Sequence, residues 1–192
     1  MRFLVFITAS MLFVAGFTVA FPTPTKSGCC QLAPNAVSRV EEAQPDESYL
    51  PGFVVGQEQG KINKRDTLME FYTPPNSYGC QLEAYFPAGS NINTDGYPTS
   101  RIDVYRITGP LTRSPFGIDV SWNYGNPALG VLVGSVTFES NPNQATKIVI
   151  NNFQCHRVMT FRFRVASENN NYVSIKIQQN LHGGGVQMVY NC

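Results

Sequence analysis

The side chains in this sequence with chemistry to offer are few: two histidines, five cysteines, a thin scatter of carboxylates and one dibasic pair. Nucleophilic catalysis of the Ser-His-Asp or Cys-His kind needs an imidazole beside a nucleophile and an orienting acid. Only His156 and His182 can supply the imidazole, and no Gly-x-Ser-x-Gly elbow accompanies either. A surface or turn histidine is the simpler reading of both, and their spacing fits no zinc motif. Glycoside hydrolysis needs two carboxyls about 5–9.5 Å apart. Glu83, Asp103, Asp119 and Glu139 are the candidates, but ordinary solvated positions on separate strands account for all four. Asn91-Ile92-Asn93-Thr94-Asp95-Gly96 opens like a calcium loop. Ile102 then stands where the bidentate Glu belongs, so a polar turn between strands is the reading. The expectation is therefore no catalytic residue, no metal ligand and no cofactor.

Binding chemistry is better represented. Trp122, Tyr124, Tyr97, Tyr105 and Tyr85 lie near turns or at outward strand positions. Flat aromatic faces stack on the C–H faces of sugar rings, and Tyr85, Tyr97 and Tyr124 form the candidate ligand platform. Trp122 shares a strand face with Ile118 and Val120 and reads as core. Arg157, Arg162 and Arg164 flank one strand and could hold an anionic polymer or lipid headgroup. A solvated edge that repels its like is the alternative. Net charge is +1 and only 14% of residues are charged, which excludes a nucleic-acid footprint.

The cysteines depend on compartment, and the first residues speak to it. Arg2 precedes an apolar run over residues 3–17, and Thr18-Val19-Ala20 offers small residues where a signal peptidase reads. A spanning helix needs about 20 apolar residues with holding charges, so residues 1–20 read as a cleaved signal peptide and no transmembrane anchor is expected. Secretion makes disulfides the default for Cys29, Cys30, Cys80, Cys155 and Cys192. Their odd number leaves one free or paired between chains. Cys80–Cys192 is one expected bridge, joining first and last strands, and Cys155–Cys192 competes with it. Lys64-Arg65 is a possible processing site for secretory-pathway proteases.

These residues need elements to hold them. Residues 21–65 lack sustained periodicity and read as an extended leader or propeptide. From residue 66 onward, short alternating runs recur between turns: 68–72, 81–86, 101–107, 118–122, 131–138, 146–153, 158–165, 172–179 and 186–190. The run at 131–138 is continuously apolar and suggests a central strand. In the run at 158–165, Met159, Phe161, Phe163 and Val165 alternate with Thr160, Arg162 and Arg164. About eight or nine such strands predict an all-β, antiparallel, jelly-roll-like β-sandwich over residues 66–192, preceded by a poorly structured leader.

The segment Cys80-Gln81-Leu82-Glu83-Ala84-Tyr85-Phe86-Pro87-Ala88-Gly89, the Phe116-Gly117 pair, Asn152-Phe153-Gln154-Cys155 and the terminal Gly-Val-Gln-Met-Val-Tyr-Asn-Cys form a pattern. It resembles the fungal secreted proteins with the "ubiquitin 3 binding protein But-two C-terminal" domain, over roughly residues 68–192. The resemblance implies a β-sandwich of a filamentous fungus and carries no catalytic residues. The family name implies a cytosolic or nuclear partner, which the signal peptide sets aside. The sequence thus points to a secreted, non-enzymatic domain at the cell wall or a host surface, its extracellular ligand a glycan or a protein. A carboxylate-dependent glycoside-active enzyme and a host-protein-binding effector are the alternatives.

Overall fold

A computed structural model describes residues 28–96, 100–179 and 184–192. The expected signal peptide, Tyr97 and His182 lie outside the described residues. Within them the chain is all-β, with fourteen strands. The first four are β1 (Cys30–Leu32), β2 (Ala36–Glu41), β3 (Phe53–Glu58) and β4 (Ile62–Tyr72). Next come β5 (Cys80–Phe86), β6 (Ile92–Gly96), β7 (Ile102–Ile107), β8 (Arg113–Ser114) and β9 (Gly117–Ile118). The last five are β10 (Val131–Val136), β11 (Thr146–Phe153), β12 (Val158–Val165), β13 (Val173–Ile177) and β14 (Gly185–Tyr190).

Two antiparallel sheets form a sandwich. The smaller runs β1-β14-β5-β11; the larger runs β10-β7-β12-β4-β3-β13-β6, with β2 added on β4. Period-2 alternation points one face of each sheet inward. Leu82, Ala84, Phe86, Val186 and Met188 from the smaller sheet meet Val55, Met69, Phe71, Val104, Phe161 and Phe163 from the larger one, all buried. The ring of Phe53 stands edge-on to those of Phe138 and Phe163, each with centroids 5.3 Å away, an arrangement that the aromatic quadrupole favours. A hairpin of β8 and β9 stands apart.

The all-β antiparallel class is as expected; three of its details are not. The segment before residue 66 is not a loose leader beyond residue 29. It contributes β1 to β3 and the start of β4, residues 62–65, and β3 lies mid-sheet between β4 and β13. Val54 is buried as well as Phe53 and Val55, so a strand enclosed on both faces shows no alternation to read. The polar segment Asn91 to Gly96 contains an edge strand, β6, paired to β13. Its polarity is that of a strand with a solvated face. Conversely, the apolar run at 131–138 yields not a central strand but the edge strand β10, with Val131 and Leu132 exposed.

The dibasic pair sits inside this fabric. Lys64 and Arg65 belong to β4, whose two halves pair in turn with β3 and with β2; Arg65 stands opposite Gly56 on one and Glu41 on the other. The Lys64 carbonyl accepts from Glu42 N at 2.8 Å, and Lys64 N donates to Glu42 Oε2 at 3.0 Å. A processing protease needs an accessible extended segment, and here the backbone is committed to its neighbours. We therefore expect the intact mass of the purified protein after reduction to retain residues 28–65, with no product beginning at Asp66. A fragment mass starting at Asp66 would contradict this.

Candidate functional site

The outer face of the larger sheet carries charge where solvated residues were expected. Asp66 and Glu70 on β4, Asp103 on β7 and Arg162 on β12 all point away from the sandwich core, yet all are buried. The cause is a strap, residues 108–130, that crosses this face and seals a second small core of Val40, Leu68, Leu111 and Val120. Every buried charge is matched. Arg162 Nε donates to Asp66 Oδ2 at 2.7 Å, and Arg164 Nε lies 3.1 Å from the same oxygen. Arg162 Nη1 donates to Asn126 Oδ1 and to the Pro127 carbonyl at 3.1 and 3.2 Å, both on the strap. Its guanidinium lies over the Trp122 ring, 5.5 Å from the centroid. Glu70 accepts from Leu111 N at 2.7 Å and pairs with Arg113. The hydrogen bond from Arg113 to Glu70 is the main reason the Arg113 guanidinium is held above its ordinary pKa. Thr160 Oγ1 donates to the Gly109 carbonyl at 2.7 Å. Burial, reinforced by Asp103, raises the Tyr105 phenol as well.

These contacts correct two expectations. Arg162 is no solvated edge residue: β12 lies between β4 and β7, and the side chain clamps the strap. Glu83 and Asp103 are not solvated either. Glu83 pairs with Lys147 at 2.7 Å, and Asp103 accepts from Ser135 Oγ at 2.6 Å. They also stand on the outer faces of different sheets, so they cannot form a glycosidase pair. Trp122 packs against the small core as expected, but half-buried and in a bend rather than a strand, because only Ile118 of the expected run 118–122 pairs, at the end of β9.

The candidate tyrosine platform does not assemble. Tyr85 lies on the outer face of the smaller sheet, since its neighbours Ala84 and Phe86 face the core. Tyr124 is exposed on the strap, across the opposite layer. The strap presents a different aromatic. Its β8–β9 hairpin carries Phe116 at the tip, 99% exposed. Gly117, at φ 129°, makes the turn behind it, a conformation open only to glycine. Between this tip and residues 34–38 and 48–51 runs a groove of about 580 Å³, lined by Asn35, Ser38, Tyr49, Leu50, Phe116 and Ile118 among others. Arg39 braces the Tyr49 ring, 4.1 Å from its centroid. One wall comes from the segment expected to be leader, which is why the sequence offered no platform here. The visible signals were Leu50-Pro51-Gly52 and an aromatic between Pro115 and Gly117.

No family model and no curated protein matches this chain. The resemblance to the But-two C-terminal domain accordingly rests on the residues quoted for it. Among the described residues, no cluster of three or more His, Cys, Asp or Glu side chains could hold a metal ion. No helix among them is long and apolar enough to cross a membrane. Two disulfides, Cys29–Cys192 and Cys80–Cys155, are compatible with an extracellular protein. Neither is an expected pairing: Cys80 meets Cys155 because Phe153 at the end of β11 is in register with Cys80, and Cys192 is taken by Cys29 beside β1.

Proposed function

We propose that this chain is a secreted, non-enzymatic β-sandwich that binds a glycan, at a cell wall or a host surface, in the groove beside Phe116. The exposure of Phe116 carries the reading. Burying such a ring is worth roughly 1.5–3 kcal/mol, and here a tight hairpin holds it in water beside a groove of about 580 Å³. The groove mixes aromatic rings with amide and hydroxyl groups, the mixture that a sugar's apolar and hydroxylated faces require. The carboxylate-enzyme alternative has lost Glu83 and Asp103 to structural ion pairs and hydrogen bonds.

Retention on chitin, β-glucan and cellulose, together with a glycan array, tests this. Retention on at least one is expected, and Phe116→Ala should weaken it about 30-fold, as loss of a central anchor does. The substitution removes no packing, so the thermal midpoint should not move. Absence of retention on every glycan, or binding indifferent to Phe116→Ala, would overturn the proposal.

A further inference from the structure

The structure assigns a second binding site, for a tetrahedral oxyanion carried as a sulfate or phosphate monoester, to a basic cavity at the other end of β4. The cavity holds about 280 Å³ and is lined by Gly56, Gln57, Lys61, Lys64, Asp66 and Arg164 together with Val165 and Ser167. Gly56 admits Arg65 from behind: the guanidinium lies 2.8 Å from where a Cβ on residue 56 would sit. The dibasic pair that reads as a processing signal in the sequence is thus part of a cation cluster in the fold.

The charge balance is what points to a ligand. Lys61, Lys64 and Arg164 line the cavity, Arg65 lies against its Gly56 and Arg162 shares its Asp66; the carboxylates among them are Asp66 and Glu42. Asp66 is already shared between Arg162 and Arg164, and Glu42 reaches Lys64 at 3.6 Å. The other acids nearby are engaged elsewhere: Glu41 with Arg39, Glu58 with Asn63 and Glu168 with Arg101. Arg164 contacts Asp66 only through Nε, and its Nη1 and Nη2 make no hydrogen bond among the described residues. Two parallel N–H donors on a guanidinium whose other edge is fixed match the spacing of oxyanion oxygens. Lys61, at a left-handed φ of 64° in the β3–β4 turn, has no ion pair among the described residues. The wall opposite is rigid, since Gln57 Nε2 donates to the carbonyls of Asn169 and Asn171 at 2.8 and 3.2 Å. A cavity this small admits an anionic ester with about one sugar ring, not a long polymer segment in cross-section.

The test is thermal unfolding and calorimetric titration of the full secreted chain at constant ionic strength, because exposed cations respond to any salt. Sodium sulfate, sodium phosphate, glucose 6-sulfate and glucose 6-phosphate are compared with sodium chloride. A saturable rise in midpoint with the tetrahedral anions, absent with chloride, is expected. Lys61→Ala and Lys64→Ala should each weaken binding about tenfold, while Arg157→Ala, an exposed cation elsewhere, should leave it unchanged. Equal midpoints for wild type and variants in chloride would show that folding is intact. No difference between sulfate, phosphate and chloride, or full binding by the Lys61→Ala/Lys64→Ala double variant, would overturn the site. Binding to phosphatidic acid vesicles with no response to the sugar esters would overturn its assignment to a soluble ester. Failure of Phe116→Ala to affect glycan retention would leave these readouts untouched, because the two sites lie at opposite ends of β4.

Discussion

Asp66→Ala should cost about 3–5 kcal/mol of folding stability, the price of leaving a buried guanidinium without its counter-charge. Asp66 is 1% exposed and its partner Arg162 is 4% exposed. Without the carboxylate, Arg162 keeps only the Asn126 amide, the Pro127 carbonyl and the Trp122 face, none of which is charged. The loss is a large share of the roughly 5–15 kcal/mol that holds an ordinary domain together. Urea unfolding measures it. Two comparisons separate charge from shape. Asp66→Asn retains the side-chain volume and should lose less, though still more than 1 kcal/mol. Glu168→Ala, which breaks an exposed pair with Arg101, should change stability by about 1 kcal/mol or less. Replacing Asp66 by Leu and Arg162 by Met together should recover much of the loss, since an apolar pair of similar volume needs no counter-charge. A loss of under 1 kcal/mol for Asp66→Ala would mean that the face under the strap is wet and that the clamp does not hold it.

The same residues explain what the sequence could and could not disclose. The alternation in β12 is legible because one face meets a core of Phe and Val while the other carries Thr and Arg. That polar face suggested solvent. Nothing within eight residues of sequence reports that a strap from residues 108–130 will cover it, because burial by a distant segment is a tertiary event. β3 failed for the opposite reason: with both faces enclosed it shows no period. β6 and β10 both turned out to be edge strands, the polar run expected as a turn pairing with β13 and the apolar run expected at the centre lying at the opposite edge. Composition reports the environment of side chains, and edge position is set by which backbone pairs with which. The groove and the basic cavity both use residues 34–65, so a reading that set those residues aside as leader could find neither. Lys64 and Arg65 were visible as a pair, but their meaning depended on whether the chain there was free or paired.

The cysteines give the second large effect, and they bear on the same misreading. Replacing Cys80 and Cys155 together by Ala should lower stability by about 4 kcal/mol. The bridge spans 75 residues, for which the loop-entropy model gives about 4–5 kcal/mol, and native disulfides in small domains are worth about 2–5. Cys80 is fully buried against the main core, so its loss is not relieved by fraying. The Cys29–Cys192 bridge spans 163 residues and would be worth slightly more in that model. It joins a short edge strand to the chain terminus, however, and those ends gain freedom in the folded state once released, so its removal should cost less. Cys30 is exposed and free, and Cys30→Ser should leave the midpoint unchanged. Peptide mapping without reduction checks the pairing directly: Cys29–Cys192 and Cys80–Cys155 peptides are expected, with Cys30 alkylated before unfolding. A Cys80–Cys192 or Cys155–Cys192 peptide would refute the arrangement. It would also remove the covalent tie, Cys29–Cys192, that would hold residues 28–65 after a cut at Lys64-Arg65, and leave that segment attached by the pairing of β1, β2 and β3 alone.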